Sequence, residues 1–220
     1  MAKITLSYIC ANTLIYDTVK TLKDRYDVGV HIDLMDGHFV PRLGVHPELI
    51  DILKEKLDVP VDVHCMMTAN NHAWKDVLSS NADVIYAHYE AFHSNEHVLE
   101  FLNQDKRLRL AFKPHWTLKQ IYSILAGFAS IDDFLLMAYN PGITNQDKTY
   151  NLDDLKNSKC NITIDGGVDF NVLSTFYDSN NIRLVAGSKL IFNDNYYQNV
   201  GKLLTTTRSA KLNLFQTQKE

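Results

Sequence analysis

Cysteine is scarce in this 220-residue chain. Cys10, Cys65 and Cys160 are odd in number, far apart and form no CxxC pair. That argues against a disulfide framework and fits a reducing, cytoplasmic setting. A basic run is also missing, and 22 Lys and Arg against 26 Asp and Glu leave a formal net charge of −4. Binding to phosphate backbones needs concentrated Lys and Arg, so nucleic acid is not an expected partner. No long apolar run opens the sequence. Met1-Ala2-Lys3-Ile4-Thr5-Leu6 is too short and too mixed for a signal peptide or a membrane span, so no membrane partner is expected. No linker or low-complexity segment divides the chain, and residues 1–220 read as a single domain. A local HExxH motif is absent too, so any metal site must be assembled from distant parts of the sequence.

What is present suits one globular domain with a full core: 45% of the residues are hydrophobic and 22% charged. Short apolar runs alternate with amphipathic segments from end to end. Strands are predicted near residues 3–9, 28–34, 59–64, 83–88, 108–113, 132–138, 161–165 and 182–186. Between them, Leu49, Ile50, Leu53 and Leu57 repeat at helical spacing behind Pro47, and Leu118, Ile121, Tyr122 and Leu125 do the same. Val172, Leu173 and Phe176 follow an Asp169 cap. Eight strands each followed by a helix predict an α/β fold, a (β/α)8 TIM barrel, with a doubly wound open sheet as the alternative. The polar tail from about Thr205 reads as an exposed last helix or a frayed end.

The barrel is favoured by where the polar residues fall. Ser7, Asp33, His64, His88, Met137 and Asp165 all lie at strand ends, just before the βα loops, where barrels carry their active sites. Strand side chains alternate faces, so His31 and Asp33 point one way while Val30, Ile32 and Leu34 point the other. Burying a histidine and a carboxylate on one face is costly without a purpose. The pattern recurs at Asp62-Val63-His64 and Thr163-Ile164-Asp165. Any one of these residues alone would read as a structural polar group. Together, His31, Asp33, His64 and Asp165 suit one divalent metal ion, Zn²⁺ first and Fe²⁺, Mn²⁺ or Co²⁺ as alternatives. Asp33 and Asp165 could also act as paired acid/base groups on opposite sides of a carbon next to a carbonyl, the requirement for epimerisation.

Other features support this pattern. Met35, Met66 and Met137 lie near strand ends and serve either as core filler or as an apolar cushion beside a reactive intermediate. Met67 has the opposite parity and belongs to the core. Asn140-Pro141-Gly142, Asp165-Gly166-Gly167-Val168 and Ala186-Gly187-Ser188 follow the last three strands. Glycine lets backbone N–H groups approach an anion, and the loops after strands seven and eight are the usual phosphate site of barrels. His88 with Glu90 either lines the mouth or makes a structural hydrogen bond. His38, His46, His72, His93, His97 and His115 lack matched partners.

These residues resemble the ribulose-phosphate 3-epimerase family, in the family's order from about Ile4 to Phe192. The similarity is carried by Ser7-Tyr8-Ile9-Cys10-Ala11-Asn12 and by the segment from His31 to Pro41. Asp62-Val63-His64-Cys65-Met66 and Ala87-His88-Tyr89-Glu90-Ala91 add to it. So do Leu136 to Gly142, Ile164 to Val168, and Val185-Ala186-Gly187-Ser188. The resemblance implies a metal held by His31, Asp33, His64 and Asp165, with Asp33 and Asp165 as the catalytic acid/base pair. It implies substrate contacts from Ser7, Met35, His64, Met66 and Met137, and a phosphate grip from Gly142, Gly166, Gly167, Gly187 and Ser188. The implied reaction interconverts D-ribulose 5-phosphate and D-xylulose 5-phosphate through a metal-stabilised enediolate. The implied partners are a small-molecule sugar phosphate and further copies of the chain in a homo-oligomer.

The sequence departs from the family in its loops. The sixth loop reads Pro141-Gly142-Ile143-Thr144-Asn145-Gln146, without two expected glycines, and the stretch to Asp165 leaves little room for a sixth helix. Lys113-Pro114-His115-Trp116 ends the fifth strand unusually, and Arg42 replaces an asparagine. Thr144, Asn145 or Lys113 would then adjust the phosphate grip. The alternatives are a 3-epimerase of another ketose, either a hexulose phosphate such as allulose 6-phosphate or an unphosphorylated sugar, and a non-catalytic sugar-phosphate-binding barrel. A related barrel decarboxylase would need an Asp-x-Lys-x-x-Asp motif, which Asp33-Leu34-Met35-Asp36 lacks.

Overall fold

In the computed structural model, described over residues 3–128, 131–142 and 150–205, eight parallel strands close into a barrel. The strands are β1 (Lys3–Ser7), β2 (Asp27–Met35), β3 (Val61–Met66), β4 (Val84–His88), β5 (Leu108–Phe112), β6 (Asp133–Met137), β7 (Asn161–Asp165) and β8 (Ile182–Ala186). Each pairs with the next in sequence, and β1 closes on β8 with Lys3 opposite Arg183 and Leu6 opposite Ala186. This is a (β/α)8 TIM barrel, and the open-sheet alternative falls with the β1–β8 pairing.

The helices are α1 (Tyr8–Ala11), α2 (Ile15–Leu22), α3 (Glu48–Leu57), α4 (Trp74–Ser79), α5 (Asn95–Leu102), α6 (Leu118–Leu125), α7 (Phe170–Phe176) and α8 (Tyr196–Thr205). Their starts follow local chemistry. Thr117 and Gln120 form a reciprocal capping box on α6, and the Asp169 carboxylate accepts from the Val172 N–H on α7. The predicted helical spacings over residues 49–57, 118–125 and 172–176 all lie on these helices. After β6, however, the described connection carries a six-residue 3₁₀ turn, Leu152–Asn157, in place of a full α-helix. The short spacing before Asp165 accounts for it.

Strand parity separates two interiors. Ile4, Leu6, Val30, Ile32, Leu34, Val63, Leu110, Leu136, Ile164 and Leu184 face outward and are wholly or nearly buried against helix residues such as Ile15, Val19, Ile50 and Leu173. Full burial of each large apolar side chain contributes about 1.5–3 kcal/mol. Inside the barrel, Tyr86, Ala111, Leu135 and Met137 form a small separate apolar cluster. Beside this cluster the inward positions include the buried polar residues Thr5, Ser7, His31, Asp33, Asp62, His64, His88 and Thr163. Two strands differ from expectation by two residues at an end: the third is Val61–Met66 rather than 59–64, and the first stops short of residue 9. The first strand ends at Ser7, because Tyr8–Ala11 turns into a helix closed by Asn12 at φ 47°.

Candidate active site

Three strands, β2, β3 and β7, deliver the polar focus. In the β2–β3 ladder Asp33 stands opposite His64 and His31 opposite Asp62, while Asp165 ends β7 opposite Met137 of β6. One donor atom from each of His31, Asp33, His64 and Asp165 lies within 4.8 Å of the others. His64 Nδ1 is 3.3 Å from Asp33 Oδ1 and 3.3 Å from Asp165 Oδ2, and His31 Nε2 is 3.4 Å from Asp33 Oδ1. The parity argument therefore brought together the four residues it named.

These donors fit a divalent cation. His31 Nε2, His64 Nδ1 and Asp33 Oδ1 are buried and have no hydrogen-bond partner. Buried polar atoms without partners are rare and costly, and here three of them converge. Two imidazoles and two carboxylates are a suitable donor set for a first-row ion. The electrostatics agree. Burial disfavours the charged imidazoles, yet Asp62 and Asp33 raise the His31 pKa well above its ordinary value. Against the same burial, Asp165 and Asp33 raise His64. The carboxylates draw protons, or another cation, toward the focus.

Further residues hold the imidazoles in place. His31 Nδ1 is hydrogen-bonded to the Asp62 carboxylate. His64 Nε2 lies 2.9 Å from His88 Nε2, and His88 Nδ1 lies 3.0 Å from Glu90 Oε2. Burial lowers the His88 pKa to about 4. Burial pushes Glu90 the other way, but its bonds to His88 and the Lys113 N–H bring it down to about 2. Sequence reasoning left Asp62 out of the site, although it shares a strand face with His64. It also left the role of His88 open between mouth and hydrogen bond.

Above this focus opens a cavity of about 330 Å³, within the usual range for small-molecule sites. Ser7, Asp33, Met35, Met66, Met137, Gly142, Asp165, Gly166, Gly167, Gly187 and Ser188 all line it. His31 and His64 are wholly buried and are not on its wall. Met67 joins the outer apolar core, as its parity predicts. Gly166 and Gly167 have φ of +92° and +66°, a conformation that turns the backbone after β7 in a way L side chains resist. Tyr139, Arg42 and Lys189 also line the cavity and were not foreseen as site residues; each sits on a loop, where strand parity gives no signal. Lys113 lies 4.2 Å over the Phe39 ring and does not line the cavity. Thr144 and Asn145 fall outside the described residues. His38, His46, His72, His93 and His115 are exposed.

Comparison with known proteins places this arrangement. The model of the ribulose-phosphate 3 epimerase family matches residues 3–191. The ribulose-phosphate 3-epimerase of Bacillus subtilis (strain 168) is 28% identical over 171 residues, covering 72% of this chain and 77% of the relative. That of Escherichia coli (strain K12) is 29% identical over 192 residues, covering 82% and 84%. Among solved structures, phosphoribosyl anthranilate isomerase from Thermococcus kodakaraensis superposes with a TM-score of 0.57 at 12% identity, over 94% of this chain and 100% of that one. KGPDC from Streptococcus mutans gives 0.56 at 15%, over 93% and 96%. These last two likenesses speak for the barrel alone. By the family match along most of its length, the chain belongs to the ribulose-phosphate 3-epimerase family and so to the carbohydrate epimerases.

Proposed function

We propose that the chain inverts C3 of a ketose phosphate, interconverting D-ribulose 5-phosphate and D-xylulose 5-phosphate, with a divalent metal at the barrel mouth. The observation that carries this reading is the convergence of two carboxylates that line one cavity with two unpartnered imidazole nitrogens buried beside them. His31, Asp33, His64 and Asp165 would hold the ion. When bound, it supplies positive charge for the oxygens on which negative charge develops as the C3 proton leaves.

The protein's own groups do the rest. One of Asp33 and Asp165 takes the proton from one side of C3, and the other returns a proton from the opposite side. The same pair with roles exchanged runs the reverse reaction. Ser7, buried at the end of β1 and lining the cavity, would hydrogen-bond a substrate hydroxyl. Met35, Met66 and Met137 give the reacting centre an apolar, polarizable wall that limits water. The backbone N–H groups of Gly166, Gly167, Gly187 and Ser188, with Gly142 beside them, are suited to the phosphate. A phosphate there fixes the sugar's far end, so its binding energy orients C3 between the aspartates.

The test is a spectrophotometric assay of purified protein on D-ribulose 5-phosphate, paired with elemental analysis. About one divalent ion per chain is expected, consistent with a single four-residue donor set. Chelation should abolish turnover, and re-addition of Zn²⁺, Mn²⁺, Fe²⁺ or Co²⁺ should restore it. His64→Ala should lose most of the ion. Full activity in metal-stripped protein would contradict the metal assignment. Equal kcat/KM for phosphorylated and unphosphorylated ketoses would contradict the phosphate assignment.

A further inference from the structure

We infer that Glu90 and His88 act as positioning residues, forming a hydrogen-bond relay that fixes which nitrogen of His64 faces the metal focus. This rests on the metal reading given above. The geometry is a linear chain from the edge of the barrel to its centre. Glu90 Oε1 accepts the Lys113 N–H at 2.8 Å and the Trp116 Nε1–H at 2.8 Å. Glu90 Oε2 lies 3.0 Å from His88 Nδ1. His88 Nε2 lies 2.9 Å from His64 Nε2. His64 Nδ1, at the inner end, is buried without a partner and faces Asp33 and Asp165.

The direction of the relay follows from donor and acceptor counting. An ionised carboxylate only accepts, so His88 Nδ1 carries a proton and donates to Glu90. A neutral His88 then has a bare Nε2, which can only accept. His64 Nε2 must donate to it, and in neutral His64 the remaining nitrogen, Nδ1, is left with its lone pair toward the focus. Both imidazoles are fully buried, out of reach of bulk solvent. Histidines that bind metals commonly owe their orientation to such a partner on the other nitrogen. Here the carboxylate acts through a second imidazole and so sits one residue further out. His31 has the direct form of the same device, with Asp62 on its Nδ1 and its Nε2 unpartnered.

The inference has a sharp consequence for an isosteric change. In Glu90→Gln, one oxygen and one NH₂ replace two acceptors. The Oε1 position faces two donors and the Oε2 position only one, so the amide oxygen stays with Lys113 and Trp116, and the NH₂ faces His88. His88 Nδ1 must then accept, its proton moves to Nε2, and His64 Nε2 becomes the acceptor. The His64 proton relocates to Nδ1, where Asp33 and Asp165 can receive it. Every hydrogen bond survives, yet the nitrogen at the focus is blocked.

The test is ¹⁵N NMR of histidine-labelled, metal-free protein at alkaline pH, with resonances assigned by single-histidine substitution, together with Zn²⁺ titration. In the parent, His88 should be protonated on Nδ1 and bare on Nε2, and His64 the reverse. Glu90→Gln should exchange both tautomers and bind Zn²⁺ about 10- to 100-fold more weakly, the range seen when such outer partners are lost. A parent His88 bare at Nδ1, or a Glu90→Gln variant with unchanged tautomers and affinity, overturns the relay. A parent with these tautomers that binds no divalent ion keeps the relay and refutes the metal reading instead.

Discussion

A β-carbon added at position 142 would stand 2.7 Å from the Val40 Cβ, and Gly142 has φ of +72°. Either fact alone disfavours a side chain, and together they demand glycine. Val40 is buried in the loop after β2, so Gly142 is where the loop after β6 packs down on it. We predict that Gly142→Ala costs about 2 kcal/mol, from left-handed strain plus displacement of Val40. KM for the sugar phosphate should rise with it, because the cavity wall moves. Denaturant unfolding and steady-state kinetics check both, and an unchanged KM would separate this glycine from binding. The sequence showed this residue as a glycine in a turn, and the family resemblance added it to the phosphate grip. The close approach that requires it was invisible, because it depends on two loops about a hundred positions apart. Asp62 was more legible, sharing its strand face with His64, but its partner His31 lies on the neighbouring strand.

At the scale of elements, Asp36 ties the loops after β2 and β3 together. Its carboxylate accepts the N–H groups of His38 at 2.8 Å, Phe39 at 2.7 Å and Thr68 at 2.9 Å, and the Asn71 amide at 3.2 Å. Burial opposes the charge, yet the N–H groups of Thr68, Phe39 and His38 outweigh it and hold the pKa at about 2, below the ordinary 3.8. A depressed carboxylate stabilises the fold above its unfolded pKa, and that contribution disappears as pH falls through the folded value. The window here runs from about pH 4 down to about pH 2. Asp36→Asn keeps one acceptor and should cost about 2 kcal/mol near neutral pH. Its stability should fall less steeply than the parent's in that window, as read by urea unfolding at a series of pH values. Parallel curves would show that Asp36 carries none of the acid sensitivity. Most element boundaries were legible because alternation and helical spacing are local signals. The turn at Tyr8 was not: Tyr8 and Ile9 are as suited to a strand as Ile4 and Leu6, and no local signal marks the helical turn Tyr8–Ala11 that ends β1 at Ser7.

For the whole molecule, the number of strands could be read directly from the chain, while closure was legible only indirectly, from the site residues collected at the strand ends and from the family resemblance. Closure depends on β1 meeting β8 across nearly the full sequence, with Lys3 opposite Arg183. Once closed, the barrel explains why four residues spaced from position 31 to position 165 reach one focus. Inward parity selects them, and the strand ends collect them at the mouth. The cavity's cationic rim, Arg42 and Lys189, stayed hidden because loops carry no periodicity.

The central claim is that Asp33 and Asp165 serve opposite faces of one carbon, and solvent isotope exchange tests it most directly. In D₂O the parent should place deuterium at C3 of the product epimer. Asp33→Asn and Asp165→Asn, each first checked for bound metal, should both lose net epimerisation by at least about a thousandfold, some 4 kcal/mol of transition-state stabilisation. Each retains one base, so each should still exchange the C3 proton of one epimer, and the two variants should act on opposite epimers. A metal-loaded Asp165→Asn protein that epimerises at the parent rate, or two variants that exchange the same epimer, would contradict the account.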